Sequence, residues 1–328
     1  MLRPFHGAVG SGLAELSEAG NIPEQSWEEL IMCAEWAGVY PALMTEFQED
    51  GALDLEATQR HIQSCVDAGV AGFVMLGTLG ENTSLYDDEK EAVLKAAVEA
   101  AGDLPVLSGV AEYTTDMAID HVRRAERVGC AGLMVLPCMV YSQDQREAMT
   151  HFRGVAAATD LPIMIYNNRV AYKVDLTPAS FVQLANVENI VAIKESSHDS
   201  RRMTDMVNAC GDRYRLFCGV DDLVVENVLF GAVGWVAGLV NSFPRESVRL
   251  FALARDGKVD EAVELYRWFM PLLHLDVELK LVQMIKLANQ ITGEGSEWVR
   301  GPRLTLEGEE RRMVTEIVET ALANRPNV

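Results

Sequence analysis

Gly132-Leu133-Met134-Val135-Leu136 is an uninterrupted apolar run, and Pro162-Ile163-Met164-Ile165-Tyr166 is a second one further along the chain. A strand that is covered on one face alternates apolar and polar residues, whereas a strand of a parallel sheet that is covered on both faces is apolar throughout. The segment between the two runs, Gln143–Ala158, has apolar residues at the three- and four-residue spacing of an amphipathic helix. The stretch therefore predicts parallel strands that alternate with helices.

The same alternation recurs along most of the chain. Eight candidate strands are Val39–Thr45, Gly72–Leu76, Pro105–Gly109, Gly132–Leu136, Pro162–Tyr166, Ile190–Lys194, Arg215–Gly219 and Gly234–Gly238. Eight strand–helix units in a row predict an α/β fold, a (β/α)8 TIM barrel. An open doubly wound sheet is the alternative, but it favours a Gly-x-Gly-x-x-Gly turn after the first strand, where this chain has Met44-Thr45-Glu46-Phe47.

Two segments fall outside the barrel, which we place at residues 37–258. Residues 1–36 read as an N-terminal helical arm, because Pro23–Ala37 has a helical pattern. Residues 259–328 form an appended C-terminal helical region. Its predicted helices are Asp260–Leu275, Glu278–Thr292 and Glu307–Ala323. These helices either form an oligomer interface or cap the barrel.

Composition restricts the class of protein. The 328 residues are 49% hydrophobic and carry a net charge of −21, which disfavours binding to nucleic acid or to anionic membranes. The six cysteines and six histidines are dispersed without metal-ligand spacing, so we expect no metal site. An apolar run long enough to span a membrane is missing from the sequence, as is the apolar stretch of a signal peptide. The acidic composition, and cysteines that lie mostly in apolar segments as in a reducing compartment, predict a cytoplasmic protein.

Lys194 is the most informative single residue, since it ends the β-branched run Ile190–Ile193 and precedes Glu195. Burial at the end of a strand would disfavour the ammonium form and lower the pKa of this lysine. A neutral lysine attacks a carbonyl or imine carbon and forms a Schiff base. The alternative is an ordinary lysine at a strand end that reaches into water.

Polar residues follow several of the other predicted strands, at the end of the barrel where active sites lie. Gly77-Thr78-Leu79-Gly80-Glu81 follows the second strand, and two glycines in such a turn expose backbone N–H groups that suit a carboxylate. Tyr166 ends the fifth strand, where a hydroxyl opposite a Schiff-base lysine would shuttle protons. Tyr166 could equally be a packing residue at the barrel mouth.

The order Gly-Thr-x-Gly-Glu, Tyr-Asn and Ile-Lys-Glu resembles the Schiff-base aldolases and dehydratases of the dihydrodipicolinate synthase and N-acetylneuraminate lyase superfamily. The resemblance runs from Gly38 to the C-terminus. It implies a lysine imine with a 2-oxo acid, no metal, no organic cofactor and a homo-oligomer, either a dimer or a tetramer.

The resemblance also implies roles for individual residues. Lys194 matches the lysine that forms the imine, and Tyr166 matches the tyrosine that passes protons. The backbone N–H groups of Thr78 and Leu79 would hold the substrate carboxylate. Gly219 and Val236 would line the pocket.

Three positions depart from the pattern of dihydrodipicolinate synthase. Leu79 replaces a threonine, Met139 replaces the tyrosine that completes a proton relay, and Ala171 replaces an arginine that binds a second carboxylate. Methionine cannot relay a proton and alanine cannot bind a carboxylate. Arg169 would instead contact a substrate carboxylate or hydroxyl, or else pair with a surface carboxylate. Other side chains could supply the missing polar groups or belong to a subunit contact: Glu112, Tyr113 and Tyr141.

Further segments, including Met270–Asp276, resemble a subgroup that acts in hydroxyproline breakdown. This resemblance implies a 1-pyrroline-4-hydroxy-2-carboxylate deaminase, acting on a cyclic imino acid. The alternatives are an aldolase or dehydratase acting on a 2-keto-3-deoxy sugar acid, 4-hydroxy-tetrahydrodipicolinate synthase, and a barrel that only binds a ligand.

Overall fold

The structure, a computed structural model, describes residues 36–328. The helical arm predicted for residues 1–36 therefore lies outside the described residues except for Trp36. The ring of Trp36 is buried and packs against Gly132, at the start of the fourth strand, where an added Cβ would come within 2.4 Å of it.

Eight parallel strands form one sheet within the described residues. They are β1 (Gly38–Pro41), β2 (Phe73–Met75), β3 (Val106–Val110), β4 (Gly132–Val135), β5 (Ile163–Asn167), β6 (Ile190–Glu195), β7 (Arg215–Cys218) and β8 (Gly234–Ala237). Each pairs with its sequence neighbour from β2 to β8, and β8 pairs with β1. A bridge between Ala42 and Val74 connects β1 to β2 and closes the ring. The predicted (β/α)8 barrel is confirmed.

Helices follow the strands around the ring. They are α1 (Leu55–Asp67), α2 (Asp87–Ala101), α3 (Thr115–Val128), α4 (Gln145–Ala156), α5 (Arg169–Tyr172), α6 (Pro178–Leu184), α7 (Arg201–Cys210), α8 (Val224–Leu229) and α9 (Pro244–Arg255). Several begin at side-chain caps, as where the carboxylate of Asp54 accepts a hydrogen bond of 2.8 Å from Ala57 N. Gly69, Gly129 and Gly211 end helices with positive φ, as a glycine C-cap predicts.

Three longer helices follow the barrel: α10 (Val259–Leu273), α11 (Leu281–Thr292) and α12 (Gly308–Ala323). The C-terminal helical region is thus present, with bounds within a few residues of the predicted ones. A short 3-10 turn, His274–Val277, connects α10 to α11. The exact division between barrel and C-terminal region at residue 258 stays a prediction.

Two kinds of feature are missing from the described residues, a membrane-spanning helix and a metal-binding cluster. Among residues 36–328, no helix is both long enough and apolar enough to cross a membrane. The same part of the chain contains no group of three or more His, Cys, Asp or Glu side chains arranged to hold a metal ion.

Candidate active site

Lys194 lies near the end of β6, and only 6% of its surface is exposed. Tyr166 is its register partner on the adjacent strand β5. The Nζ atom of Lys194 lies 4.2 Å from the centroid of the Tyr166 ring. The pairing of two parallel strands therefore brings an amine and a phenol into contact at the end of the barrel where active sites are found.

Burial changes the proton affinities of both groups. It lowers the pKa of Lys194, although the nearby groups of Asp276, Tyr172 and Asp221 oppose the shift. Burial also raises the pKa of Tyr166 to about 12. At neutral pH the phenol keeps its proton, while the amine loses its proton more easily than an exposed lysine does.

A second tyrosine completes a cluster of hydroxyl groups beside Tyr166. The hydroxyl of Tyr172 forms a hydrogen bond of 2.5 Å with Thr78 Oγ1, and its ring meets the Tyr166 ring edge-on at 5.5 Å. Asn168 Nδ2 donates to the Tyr166 hydroxyl at 3.1 Å. The side-chain oxygen Oδ1 of Asn168 caps the short helix α5, which carries Tyr172, because it accepts a hydrogen bond from Ala171 N at 2.9 Å. One asparagine thus orients both tyrosines.

The turn after β2 presents unused backbone donors. The N–H groups of Thr78 and Leu79 donate no hydrogen bond to any group in the described part of the chain. The turn is held rigidly, because Thr45 Oγ1 donates to Gly80 O at 2.8 Å and the buried carboxylate of Glu81 accepts from Arg300 N at 3.1 Å. Two adjacent free amides in a fixed turn form a site for an anion.

Two glycines leave room for the functional side chains. A Cβ at Gly219 would lie 2.7 Å from Cε of Lys194 and 2.1 Å from Oγ of Ser196. A Cβ at Gly238 would lie 2.0 Å from Oδ1 of Asp276. The ends of β7 and β8 therefore lack side chains where the lysine and the aspartate need the space.

These groups surround a cavity of about 650 Å³ at the carboxyl ends of the strands. The structure brings five of the predicted site residues to its wall: Thr78, Leu79, Tyr166, Lys194 and Gly219. The volume is that of a typical small-molecule site. The residues that supply an amine, a cluster of hydroxyls and two free amides thus line one cavity.

The family model described as "Dihydrodipicolinate synthetase family" matches residues 35–321. The chain belongs to this family. As a member of the dihydrodipicolinate synthetase family it is an enzyme, a class I lyase that works through a Schiff base.

Similar proteins include two that are named 4-hydroxy-tetrahydrodipicolinate synthase. The one from Exiguobacterium sp. is 33% identical over 83% of this chain and 92% of its own length. The one from Methanothrix thermoacetophila is 32% identical over 72% of this chain and 80% of its own length.

Solved structures of the family have the same fold. Dihydrodipicolinate synthase from Aquifex aeolicus superposes with a TM-score of 0.82 and 29% identity, covering 87% of this chain and 97% of that one. A prophage protein of the family from E. coli K12, solved in complex with pyruvate, gives a TM-score of 0.82 and 26% identity, covering 88% and 99%.

Two predicted substrate-binding residues of this family member do not reach the cavity wall. Arg169 points away from it and lies 4.0 Å from Asp175, which favours the alternative of a surface ion pair. The reason is that Arg169 begins α5, whose opposite end carries Tyr172 into the cavity. Val236 is buried within β8 and pairs with Tyr40, whereas Gly238, nearer the carboxyl end, reaches the cavity.

The side chains suggested as substitutes for the missing relay tyrosine also lie elsewhere. Glu112 accepts a hydrogen bond of 2.6 Å from Lys90, away from the cavity. Tyr113 and Tyr141 are 54% and 60% exposed, and neither lines the cavity. Within the described chain, the hydroxyl beside Thr78 comes from Tyr172 instead.

Sequence reasoning missed Tyr172, Asn168 and Asp276 as site residues. Asn168 and Tyr172 follow Tyr166 closely, so a polar pattern after the fifth strand was an available signal. Asp276 follows the barrel in sequence and enters the cavity from the turn between α10 and α11. No local pattern marks such a residue as part of the site.

Proposed function

We propose that Lys194 forms a Schiff base with C2 of a 2-oxo acid or of its cyclic imine. The observation that carries this proposal is the buried amine, 4.2 Å from the Tyr166 ring centroid, at the wall of the cavity. The lowered pKa of Lys194 makes the neutral, nucleophilic form accessible. The pyruvate complex of the E. coli relative supports a 2-oxo acid as ligand.

The substrate carboxylate binds to the N–H groups of Thr78 and Leu79. These donors are free and belong to the same rigid turn, so an anion meets no competing acceptor there. The carboxylate is bonded to C2 of a 2-oxo acid. Binding it therefore places C2 next to the lysine, and positioning of this kind can contribute several kcal/mol to lowering the barrier.

Tyr166 transfers protons to and from the substrate. Its phenol contacts the lysine, and the pair of hydroxyls on Thr78 and Tyr172 lies next to its ring. Addition of the amine to C2 and loss of water from the carbinolamine each need a proton moved at C2. A phenol with a pKa near 12 acts as the donor at neutral pH.

The best specific assignment is 1-pyrroline-4-hydroxy-2-carboxylate deaminase. Ala171 lines the cavity at the position where dihydrodipicolinate synthase has an arginine. Among the described residues, no arginine lines the cavity. A substrate with one carboxylate and a hydroxyl fits this wall better than one with two carboxylates. The carboxyl of Asp276, which lines the same cavity, can form a hydrogen bond with a substrate hydroxyl.

The deamination follows from the same lysine. Lys194 adds to C2 of the ring imine, and cleavage of the bond from C2 to the ring nitrogen leaves a free amine on C5. Removal of a proton from C3 lets the C4 hydroxyl leave as water. The new double bond shifts to C5 as an imine, whose hydrolysis releases ammonia. Hydrolysis of the lysine Schiff base then releases 2-oxoglutarate semialdehyde.

A second candidate is 4-hydroxy-tetrahydrodipicolinate synthase, because relatives at 32% and 33% identity carry that name. It requires a cation for a second substrate carboxylate. Lys173 is the cavity-lining lysine other than Lys194, and its Nζ donates to Val170 O at 2.9 Å on the exposed rim. An aldolase or dehydratase acting on a 2-keto-3-deoxy sugar acid needs the same Lys194.

The first experiment is borohydride reduction in the presence of pyruvate, followed by peptide mass spectrometry. We expect a stable adduct on Lys194 in the wild type and in Lys173→Met, and none in Lys194→Met. The Lys173 variant is the matched control, since both lysines line the cavity. Absence of an adduct with every 2-oxo acid would leave only the ligand-binding barrel.

The second experiment separates the substrates. Purified protein is incubated with 1-pyrroline-4-hydroxy-2-carboxylate, with a 2-keto-3-deoxy sugar acid, or with pyruvate and aspartate semialdehyde. Ammonia release from the first supports the deaminase. Release of pyruvate or water from the 2-keto-3-deoxy sugar acid supports the aldolase or dehydratase. Consumption of pyruvate together with aspartate semialdehyde supports 4-hydroxy-tetrahydrodipicolinate synthase.

We also propose a cytoplasmic homo-oligomer of two or four subunits. Large apolar side chains from the loops after β3 and β4 support this, since Val140 is 90% exposed beside Tyr141 and Tyr113 is 54% exposed. Light scattering coupled to size exclusion measures the assembly. A mass of one chain, 36.1 kDa, would contradict the proposal.

A further inference from the structure

Asp276 places a carboxyl group in the cavity from outside the barrel. It belongs to the turn His274–Val277 between α10 and α11, and its side chain lies against Gly238 at the end of β8. The carboxyl makes no hydrogen bond to any group of the described chain. A half-buried carboxyl that faces a substrate cavity, without a hydrogen-bond partner among the described residues, is available to bind a substrate group.

The surroundings of Asp276 favour its protonated form. Burial and the charge of Asp221 raise the pKa of Asp276 well above its usual value, and Asp222 acts in the same direction. Lys194 opposes the shift, and Asp276 in turn acts on the nearby phenol of Tyr166. The carboxyl of Asp221 is occupied, because it accepts hydrogen bonds from Trp235 Nε1 at 2.9 Å and Leu239 N at 2.8 Å.

Asp276 lies on the opposite side of Lys194 from Tyr166. Tyr166 is on β5, on one side of the lysine strand β6, and Thr78 lies across the ring at the end of β2. Asp276 lies at β8, on the other side of β6 past β7. Two sources of protons therefore flank one amine, and a substrate held on the lysine can contact both.

We propose that Asp276 is a second acid–base residue of the active site, which protonates the C4 hydroxyl as it leaves. This inference rests on the proposed Schiff-base function. The carboxyl proton moves to the C4 oxygen, the C4–O bond breaks, and water leaves. The electron pair of the C3–H bond forms the C3–C4 double bond, and a water molecule in the cavity accepts the C3 proton and passes it to solvent. Asp276 regains a proton from water.

The test compares Asp276→Asn with Asp276→Glu and with Asp54→Asn. Asp54 is the matched control, because it is also a half-buried aspartate, does not line the cavity, and caps α1 by accepting from Ala57 N, a role that asparagine fills as well. We expect kcat for ammonia release to fall by about 10²-fold or more in Asp276→Asn, with partial recovery in Asp276→Glu and a change of no more than about twofold in Asp54→Asn.

The pH profile of kcat distinguishes an acid from a structural residue. A general acid works only while protonated, so wild-type kcat falls as pH rises through the pKa of Asp276. That limb should vanish in Asp276→Asn, while the yield of the borohydride adduct with pyruvate stays at the wild-type level. A parallel loss of adduct and turnover would assign Asp276 to imine formation and overturn the proposal.

A binding measurement tests the contact without turnover. The concentration for half-maximal borohydride adduct is compared between 4-hydroxy-2-oxopentanoate and 2-oxopentanoate. We expect the wild type to prefer the hydroxylated compound by about tenfold and Asp276→Asn to lose this preference. If wild type and variant show equal preference, the inference fails while Schiff-base formation stands. If wild type forms no adduct, the proposed function itself fails.

Discussion

Lys194 acquires its properties from its position, because every lysine carries the same amine. Its strand neighbours exclude water, and the glycine at position 219 leaves space for its side chain. Burial then lowers its pKa. The phenol of Tyr166 and the carboxyl of Asp276 lie on either side, so the amine has proton donors within reach.

Tyr172→Phe tests whether the second tyrosine passes protons. The substitution removes the hydroxyl that lies 2.5 Å from Thr78 Oγ1 and keeps the ring that packs on Tyr166. We expect kcat to fall by about 10²-fold, with little change in the yield of the borohydride adduct, because the variant keeps Lys194, the carboxylate site and the Tyr166 phenol, which serve imine formation. Steady-state kinetics measures kcat, and mass spectrometry measures the yield of the borohydride adduct.

Tyr214→Phe is the control for this variant. Its hydroxyl donates to Phe181 O at 2.8 Å, and it is a buried tyrosine outside the cavity. We expect kcat to change by no more than about twofold, with a loss of stability of about 1 kcal/mol. Wild-type turnover in Tyr172→Phe would remove Tyr172 from the proton path.

Residues that follow a strand directly were predictable, and residues brought in by a change of chain direction were not. Thr78, Leu79, Tyr166 and Lys194 were expected at the end of the barrel where active sites lie because they follow strands, and all four line the cavity. Arg169 follows Asn168 in sequence, yet α5 turns it toward Asp175 and turns Tyr172 inward. The two residues stand at opposite ends of this short helix, and only the end that carries Tyr172 reaches the cavity wall.

Helix α11 supports the carboxylate-binding turn through a buried ion pair. Lys286 on α11 is fully buried, and its Nζ lies 3.1 Å from Oε1 of Glu81, which is also fully buried. The same Nζ donates to Thr45 O at 2.7 Å and to Trp298 O at 2.6 Å. The glutamate of the Gly-Thr-x-Gly-Glu motif thus connects the C-terminal helices to the barrel and does not face the cavity.

Lys286→Met should therefore be strongly destabilising. It removes one partner of a buried ion pair and leaves the Glu81 carboxylate with less compensation, which costs about 3–5 kcal/mol. Urea unfolding followed by circular dichroism measures the free energy of unfolding. Lys280→Met is the matched control, since Lys280 and Glu310 form an exposed pair with 42% and 47% of their side chains accessible.

We expect Lys280→Met to lower the free energy of unfolding by no more than about 1 kcal/mol. Equal effects of the two substitutions would show that burial of Lys286 contributes nothing beyond a surface pair.

The positions of α10 to α12 were predicted to within a few residues from their periodicity. Their contacts were not, because a hydrophobic period says which face is buried and not what covers it.

The net charge of −21 sets the electrostatic field around the cavity. An anionic 2-oxo acid approaches against this field, and salt screens the repulsion. We expect the second-order rate of borohydride-trapped adduct formation with pyruvate to rise about two- to threefold between roughly 20 and 200 mM salt. Acetone, which has no carboxylate, should react at a rate that salt leaves unchanged.

A fall in the pyruvate rate with salt would contradict this expectation, because it would mean that local positive groups dominate the approach. An equal rise for pyruvate and acetone would also contradict it, since salt would then act on the protein and not on the charge of the ligand.

The order of strands and helices and the lysine at the end of β6 were readable along the chain, because each depends on residues that are close in sequence. The family pattern was readable as well, because each of its three motifs is a short continuous stretch. The grouping of Tyr172 with Thr78, and of Asp276 with Lys194, came only from the folded ring. Closure of β1 against β2 and β8, and the turn after α10, bring distant segments to one cavity. Contacts of that kind depend on the path of the backbone in three dimensions, which local propensity and periodicity do not encode.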